Sequence, residues 1–243
     1  MNSKRYVCFN HFIDKSELKL NFEPVKSPDE ADILISLGGD GTLLRFFHKM
    51  YNQIKDQIFN KVFMGVNFGT VGFLTVPKNY LNKTEFNLVN RGVLKIDKYN
   101  ILALNEIVIY PKLRGQLFEL SVSIGKSTTY YKGDGLIIST STGSTAYNLS
   151  ANGPIVFPEI DCYILSPICP FSLANRPIVV PHTYNIKVTS EDVALVYYDG
   201  RFGFEAYELN ITYCNNKLKM VTNTDFQELI RKKLGWNKQI KET

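Results

Sequence analysis

Hydrophobic positions along this 243-residue chain recur with two different periods, and the change falls near Gly92. Before it, short apolar runs alternate with helix-spaced ones, the pattern of an α/β domain. Val7-Cys8-Phe9 predicts a first strand, Ala31 to Leu37 a second and Lys61 to Val66 a third, while Leu43, Phe46, Phe47 and Met50 predict a helix directly after the second. Ser27-Pro28-Asp29-Glu30 carries a capping-box pattern with proline at the first helical position, which predicts a short helix ahead of that strand. Beyond Gly92 the period falls to two. Phe118, Leu120, Val122 and Ile124 alternate with polar residues, as do Tyr184, Ile186 and Val188, and then Leu209, Ile211 and Tyr213, with Asp199-Gly200 as a turn between runs. These predict an all-β sandwich. Thr224 and Gln227 form a second capping-box pattern, followed by Phe226, Leu229, Ile230 and Leu234 on one helical face and Gly235 as a stop. An all-β domain has little use for such a helix, so it is expected to pack back on the first domain. The predicted organisation is a Rossmann-like α/β domain over 1–92, a β-sandwich over 93–221, and a closing helix and tail over 222–243.

Composition changes this picture little. The chain is 44% hydrophobic and 13% aromatic, enough for a sizeable core, and its net charge of +5 suits an anionic small molecule but is too diffuse to signal nucleic acid. Arg231-Lys232-Lys233, with Lys238 and Lys241, reads as a solvated helix face. Cys8, Cys162, Cys169 and Cys214 form no CxxC pair and the histidines at 11, 48 and 182 are scattered, so no zinc pattern arises and free thiols in a reducing cytoplasm are expected. No secretory leader is expected, because Asn10, His11 and Asp14 interrupt the start before an apolar core forms. The most apolar later stretch, Tyr163 to Leu173, holds two prolines and is far short of the ~20 residues a membrane helix needs.

Candidate chemistry gathers in four stretches. Gly38-Gly39-Asp40-Gly41-Thr42 puts one carboxylate among three glycines where a strand runs into a helix, a junction whose amides and dipole favour an anion and whose acid can accept a proton. The alternative is a tight turn in which Asp40 caps. A second glycine loop, Asn67-Phe68-Gly69-Thr70-Val71-Gly72-Phe73-Leu74, closes the third strand. Asn105-Glu106 is a polar pair in an otherwise apolar strand, suited to ribose hydroxyls or else a solvated strand end. Lys132-Gly133-Asp134-Gly135 leads into Ser139 to Tyr147, where seven of nine residues are Ser, Thr or Tyr. Small side chains there leave amides and hydroxyls for a polar ligand, with Tyr147 available to stack on a ring; a capping loop is the alternative. The chain has neither GxxxxGK[ST] nor a GxSxG elbow, so neither a P-loop nor a serine hydrolase fits.

Taken in order, these motifs resemble the NAD kinase family. The resemblance implies ATP-dependent phosphorylation of the adenosine ribose 2′-hydroxyl of NAD, a divalent metal such as Mg2+, an α/β domain followed by a β-sandwich, and a homo-oligomer, dimer or tetramer. Inorganic polyphosphate is the alternative donor, and no nucleic-acid or membrane partner is implied. Asp40 is then the proton acceptor, Gly41 and Arg45 lie at the phosphates, and Asn67 and Phe68 line the nucleotide. Asn105, Glu106, Lys132 and Asp134 match the binding motifs. Ser141, Ser144, Thr145, Ala146, Tyr147, Asn148, Leu149 and Ser150 match the segment that wraps the dinucleotide. Lys132 stands where the family often has arginine, Asn152 where it has glycine and Phe171 where many members have histidine. The segment before Asp40 is short, so no regulatory extension is expected. Two alternatives remain: a lipid kinase of the diacylglycerol or sphingosine kind, which shares the Gly-Gly-Asp-Gly loop, and a non-catalytic NAD-binding sensor.

Overall fold

The computed structural model describes residues 3–8, 18–70, 72–113, 115 and 117–235. Phe9 of the first predicted strand, His11, Val71 of the second glycine loop, and Lys238 and Lys241 lie outside the described residues. The strands in chain order begin with β1 (Arg5–Cys8) and β2 (Ile33–Leu37), then helix α1 (Asp40–Ile54), β3 (Val62–Asn67), β4 (Thr75–Pro77) and β5 (Asn87–Arg91). Next come β6 (Leu94–Ile96), β7 (Ile101–Ala103), β8 (Glu106–Pro111), β9 (Phe118–Ile124), β10 (Ser127–Gly133) and β11 (Gly135–Thr140). A short helix α2 (Tyr147–Ser150) precedes β12 (Cys162–Ile168), β13 (Ile178–Pro181), β14 (Ile186–Tyr198) and β15 (Arg201–Tyr213); β16 (Leu218–Thr222) and α3 (Phe226–Leu234) close the chain. Contacts divide these elements into two compact units, one of Met1–Asn90 with Leu218–Thr243, the other of Arg91–Lys217.

In the first unit the strand order is β1-β2-β3-β16-β5, with β4 also on β3. The pairings β1–β2, β2–β3, β3–β4 and β3–β16 are parallel, so the late strand β16 is built into the early sheet. Strands buried on both faces read as continuous apolar runs. All five residues of β2 are buried accordingly. Ile33, Ile35 and Leu37 join Val7, Met64, Val66 and Val221 on one face, while Phe63 takes Phe46 and Phe47 of α1 on the other, with ring centroids 6.0 Å apart in each pair. Helix α3 buries Ile230, and its first residue, Phe226, lies 6.5 Å from Phe73.

The second unit holds a ten-stranded sheet of order β13-β12-β11-β8-β14-β15-β6-β7, with the β9–β10 hairpin attached through β9 to β14. Its pairings are antiparallel. Alternate residues of most of these strands, among them Ile107, Ile109, Leu120, Val122, Leu136, Ile138, Val188 and Ile211, build one core, as the period-two pattern requires. Strands β14 and β15 form one long hairpin closed at Asp199-Gly200, where φ is +46° and +74°. Two successive positive φ values match the right-handed twist of the flanking strands, and Asp-Gly tolerates them well. No described helix is long and apolar enough to cross a membrane.

Four local expectations need correction. Residues 27–30 form bends and a turn rather than a helix: the Ser27 hydroxyl bonds to Asp29, the Ala31 amide closes on Pro28 O, and β2 starts at Ile33 before a helical turn can propagate. The cap of α3 is Asp225, one residue after the predicted Thr224, because its carboxylate accepts from the Gln227 and Glu228 amides. Asn105-Glu106 does not sit inside a continuous strand, since the chain bends at 104–105 between β7 and β8. Tyr184, too, falls in the turn before β14 rather than within it.

Candidate active site

In the first unit, Asp40 is the first residue of α1 and Gly39 is its N-cap, with no side-chain capping bond. The acid therefore does not cap its own helix. Its Oδ2 accepts from the Phe73 amide at 2.7 Å, and its Oδ1 accepts from the Leu74 amide at 3.2 Å and the Thr75 hydroxyl at 3.0 Å. Thr75 Oγ1 in turn accepts from the Gly72 amide at 2.9 Å. The parallel pairing of β3 with β4 brings this second loop beside the first, which is why one carboxylate staples both. A Cβ at Gly72 would lie 2.1 Å from Asp40 Oδ1, so only glycine lets the loop approach the acid. An ionised carboxylate offers about four lone-pair sites. The three donors leave one, on Oδ2, for a proton.

The other predicted residues of this unit surround that acid in sequence but are differently engaged. Gly41 and Arg45 are exposed, and Arg45 Nη2 lies 3.2 Å from Thr42 Oγ1 over the first turn of α1. Asn67 closes its own loop, donating from Nδ2 to Thr70 O at 2.8 Å and accepting from the Gly69 amide at 3.0 Å. Phe68 is exposed, with Lys78 Nζ 5.2 Å from its ring centre.

In the second unit, Asn105 and Glu106 are 7% and 5% exposed, so the solvated-strand-end alternative fails. Asn105 Oδ1 and Glu106 Oε2 nevertheless have no hydrogen-bond partner in the structure. Buried polar atoms left so are rare and call for an explanation. Burial and the neighbouring Asp199 push the Glu106 carboxyl up to about 8, while the Tyr147 backbone amide draws it down. The backbone of the bend is, by contrast, fully engaged. Asp199 accepts from the amides of Leu104 at 2.9 Å, Asn105 at 2.7 Å and Glu106 at 3.2 Å. On the other side, Asn105 O accepts from the Thr140 amide at 2.9 Å and from Ser139 Oγ at 3.2 Å, and Thr140 Oγ1 donates to Leu104 O at 2.7 Å. A Cβ on Gly143 would lie 2.2 Å from Asn105 O, so the hydroxyl-rich turn must carry glycine there.

The Ser/Thr-rich stretch differs from its reading as free hydroxyls. Ser139, Thr140, Ser141 and Ser144 are 0% exposed and bonded internally. Ser144 Oγ exchanges hydrogen bonds with the Val156 amide and carbonyl, both at 3.1 Å, and Ser141 Oγ donates to Pro158 O at 3.4 Å. Asn148 is also buried, holding Ser144 O and Pro154 O through Nδ2 and accepting from Ser166 Oγ at 2.7 Å. Small polar residues here fold a tight turn onto the sheet; the partly exposed Thr145, Ala146, Tyr147 and Leu149, and exposed Ser150, follow it. Tyr147 and Asp134 line a cavity of about 750 Å³ with Tyr110, Lys112, Ile168 and Tyr197. Tyr110 donates to the Tyr147 hydroxyl at 2.8 Å, and burial pushes its phenol upward. Lys132 is paired with Glu119.

Two residues to which the sequence assigns no site role stand out: Thr75, which holds Asp40, and Asp199, which holds the Asn105-Glu106 bend. Asp199 was legible only as a turn residue. No cluster of three or more His, Cys, Asp or Glu suited to a metal gathers among the described residues, so this donor set does not form a protein cage for Mg2+.

Residues 104–222 match the family profile described as ATP-NAD kinase C-terminal domain. The chain is 35% identical over 237 residues to the NAD kinase of Geotalea daltonii, covering 87% of this chain and 81% of that protein. It is 34% identical over 226 residues to the NAD kinase of Helicobacter pylori, covering 86% and 77%. Among solved structures it resembles an NAD kinase from Archaeoglobus fulgidus in complex with ATP, with a TM-score of 0.73, 25% identity, and coverage of 97% and 98%. It also resembles yeast NADH kinase complexed with NADH, with a TM-score of 0.73, 26% identity, and coverage of 89% and 71%.

Proposed function

This chain belongs to the NAD kinase family, and from that premise we propose that it transfers the γ-phosphoryl of ATP to the adenosine ribose 2′-hydroxyl of NAD, with Asp40 as the general base. It is an ATP-dependent kinase of NAD. The observation that carries the site assignment is the Asn105-Glu106 pair, buried and backbone-fixed yet with Oδ1 and Oε2 unpartnered. Such a pair suits vicinal ribose hydroxyls, which both donate and accept. Diacylglycerol, by contrast, offers a single hydroxyl, which answers only one member of the pair.

A sugar hydroxyl is a weak nucleophile, and phosphoryl transfer rests chiefly on positioning and charge stabilisation. Asp40 keeps one lone-pair site on Oδ2 for the hydroxyl proton, while Phe73, Leu74 and Thr75 hold the carboxylate still. The amides and dipole at the start of the 15-residue α1 favour phosphate oxygens, and the exposed Gly41 and Arg45 lie on the same turn. We read Asn67, Phe68, Lys132, Asp134 and the 145–150 segment as nucleotide contacts, with Tyr147 and Asp134 supplied through the 750 Å³ cavity. Ser141 and Ser144 shape the turn that carries them. No described carboxylate cluster would hold a divalent cation, so a Mg2+ ion would enter with the triphosphate and would offset its charge. We read the first unit as Rossmann-like, the second as a β-sandwich, and the molecule as a homo-oligomer. Tyr130, Phe171 and Leu173, exposed by 73%, 75% and 77%, support the last point.

One endpoint assay tests this: NAD or NADH crossed with ATP or polyphosphate, in the presence of Mg2+, with a diacylglycerol arm. NADP formed from NAD and ATP is the expected result. Phosphorylated lipid with no NADP, or NAD binding with no turnover, would overturn the reading.

A further inference from the structure

We propose that Asp199 is the positioning residue that fixes the Asn105-Glu106 pair in its binding geometry, an inference that rests on the site reading above. The sheet register explains how a residue 94 positions away comes to do this. On one side of β8, Ile107 pairs with Tyr198 of β14, and on the other, Glu106 pairs with Ser139 of β11. The residue after Tyr198 therefore arrives beside Glu106. There the chain must reverse into β15, and Asp199 takes the left-handed conformation that its short polar side chain tolerates. Its own amide donates to Glu106 O at 3.0 Å, which anchors the turn to the strand end. Its carboxylate then reaches past the ladder to three consecutive amides, Leu104, Asn105 and Glu106, at the bend where strand pairing has stopped.

Those amides have no ladder partner at a bend, and Asp199 is 8% exposed, so water does not take its place. With the hydroxyl-rich turn holding the carbonyls of residues 104 and 105 from the other side, the backbone of the pair is clamped on both faces. The side chains of Asn105 and Glu106 are then aimed with Asn105 Oδ1 and Glu106 Oε2 left out of the clamp. A second consequence is electrostatic. The ionisable groups that act with Glu106 are Asp199 from the β14–β15 turn and Tyr110 from its own strand, and the Asp199 charge opposes ionisation of Glu106. One carboxylate thus fixes the backbone that aims the next and adds to the burial that opposes its ionisation.

Asp199→Asn is the direct test. Asn presents one acceptor oxygen, so at least one of the three amides faces an NH2 group instead. The KM for NAD is expected to rise about tenfold or more while the KM for ATP stays within about twofold. In 13C-carboxyl NMR the Glu106 titration, near 8 in the wild type, is expected to move to lower pH in the variant. Should Asp199→Asn fail to fold, Asp199→Glu keeps the charge but changes the reach: the KM for NAD should rise with the Glu106 titration still near 8. An unchanged KM for NAD, or both KM values raised alike with the titration unmoved, would overturn the proposal. If the wild type forms no NADP, the functional reading falls, and the NMR titration still decides whether Asp199 governs Glu106.

Discussion

Two acids, one in each unit, are held in opposite ways. Asp40 is half exposed and accepts three hydrogen bonds from a neighbouring loop, whereas Glu106 is buried with one oxygen unpartnered. Donors aimed at a carboxylate stabilise its charged form, and burial does the reverse. The first arrangement suits an acid that must be held still with one lone-pair site left open. The second suits one that waits, uncharged over much of the physiological range, for a ligand to complete its hydrogen bonding. Their supports differ too: Asp40 is held by its side chain, and Glu106 by its backbone.

Removing the charge at Asp40 should break this contrast most severely. Asp40→Asn is expected to lower turnover by about 10²-fold or more, with NAD affinity measured by calorimetry changed only a few-fold. Near-normal turnover would show that the acid is structural. A smaller effect is expected at Glu106 and is read through pH. Its folded value, about 8, lies above the ordinary 4.5, so the folded state favours the neutral form. That contribution is complete below pH 4.5 and is lost as pH rises through about 8. The Glu106 contribution to the melting temperature of the wild type should therefore fall between about pH 4.5 and 8, and Glu106→Gln should flatten that part of the curve; an identical slope in both proteins would exclude the assignment.

Weaker still is the effect expected of Thr75→Val. It removes the hydroxyl that donates to Asp40 and accepts from Gly72, two ordinary hydrogen bonds worth about 1 kcal/mol each, so turnover should drop roughly three- to thirtyfold with the KM for NAD unchanged. A change in KM alone would mean that the loop, rather than the acid, needs the hydroxyl. Smallest is Asp225→Ala, which removes the true cap of α3 and should cost about 1 kcal/mol in denaturant unfolding while Thr224→Ala leaves stability nearly unchanged. Equal losses at both positions would return the cap to Thr224.

Local rules made part of this protein legible. A carboxylate among glycines after a buried five-residue run with four apolar members and before Leu43, Phe46 and Phe47 reads as a strand-to-helix junction, because strand burial and helical spacing are both written in adjacent residues. The shift to period two near Gly92 marked the antiparallel half for the same reason. Tertiary structure decided what the polar residues do. Whether a hydroxyl of Ser139 to Ser144 faces a ligand or a carbonyl depends on where the 154–158 segment and the Asn105 bend lie, and no neighbour in sequence reports that. Asp199 shows the limit most clearly: its sequence context specifies a turn, while its partners, 93 to 95 residues away, are set by the register of β14 on β8. Periodicity encodes burial, but hydrogen-bond partners are chosen by the whole sheet.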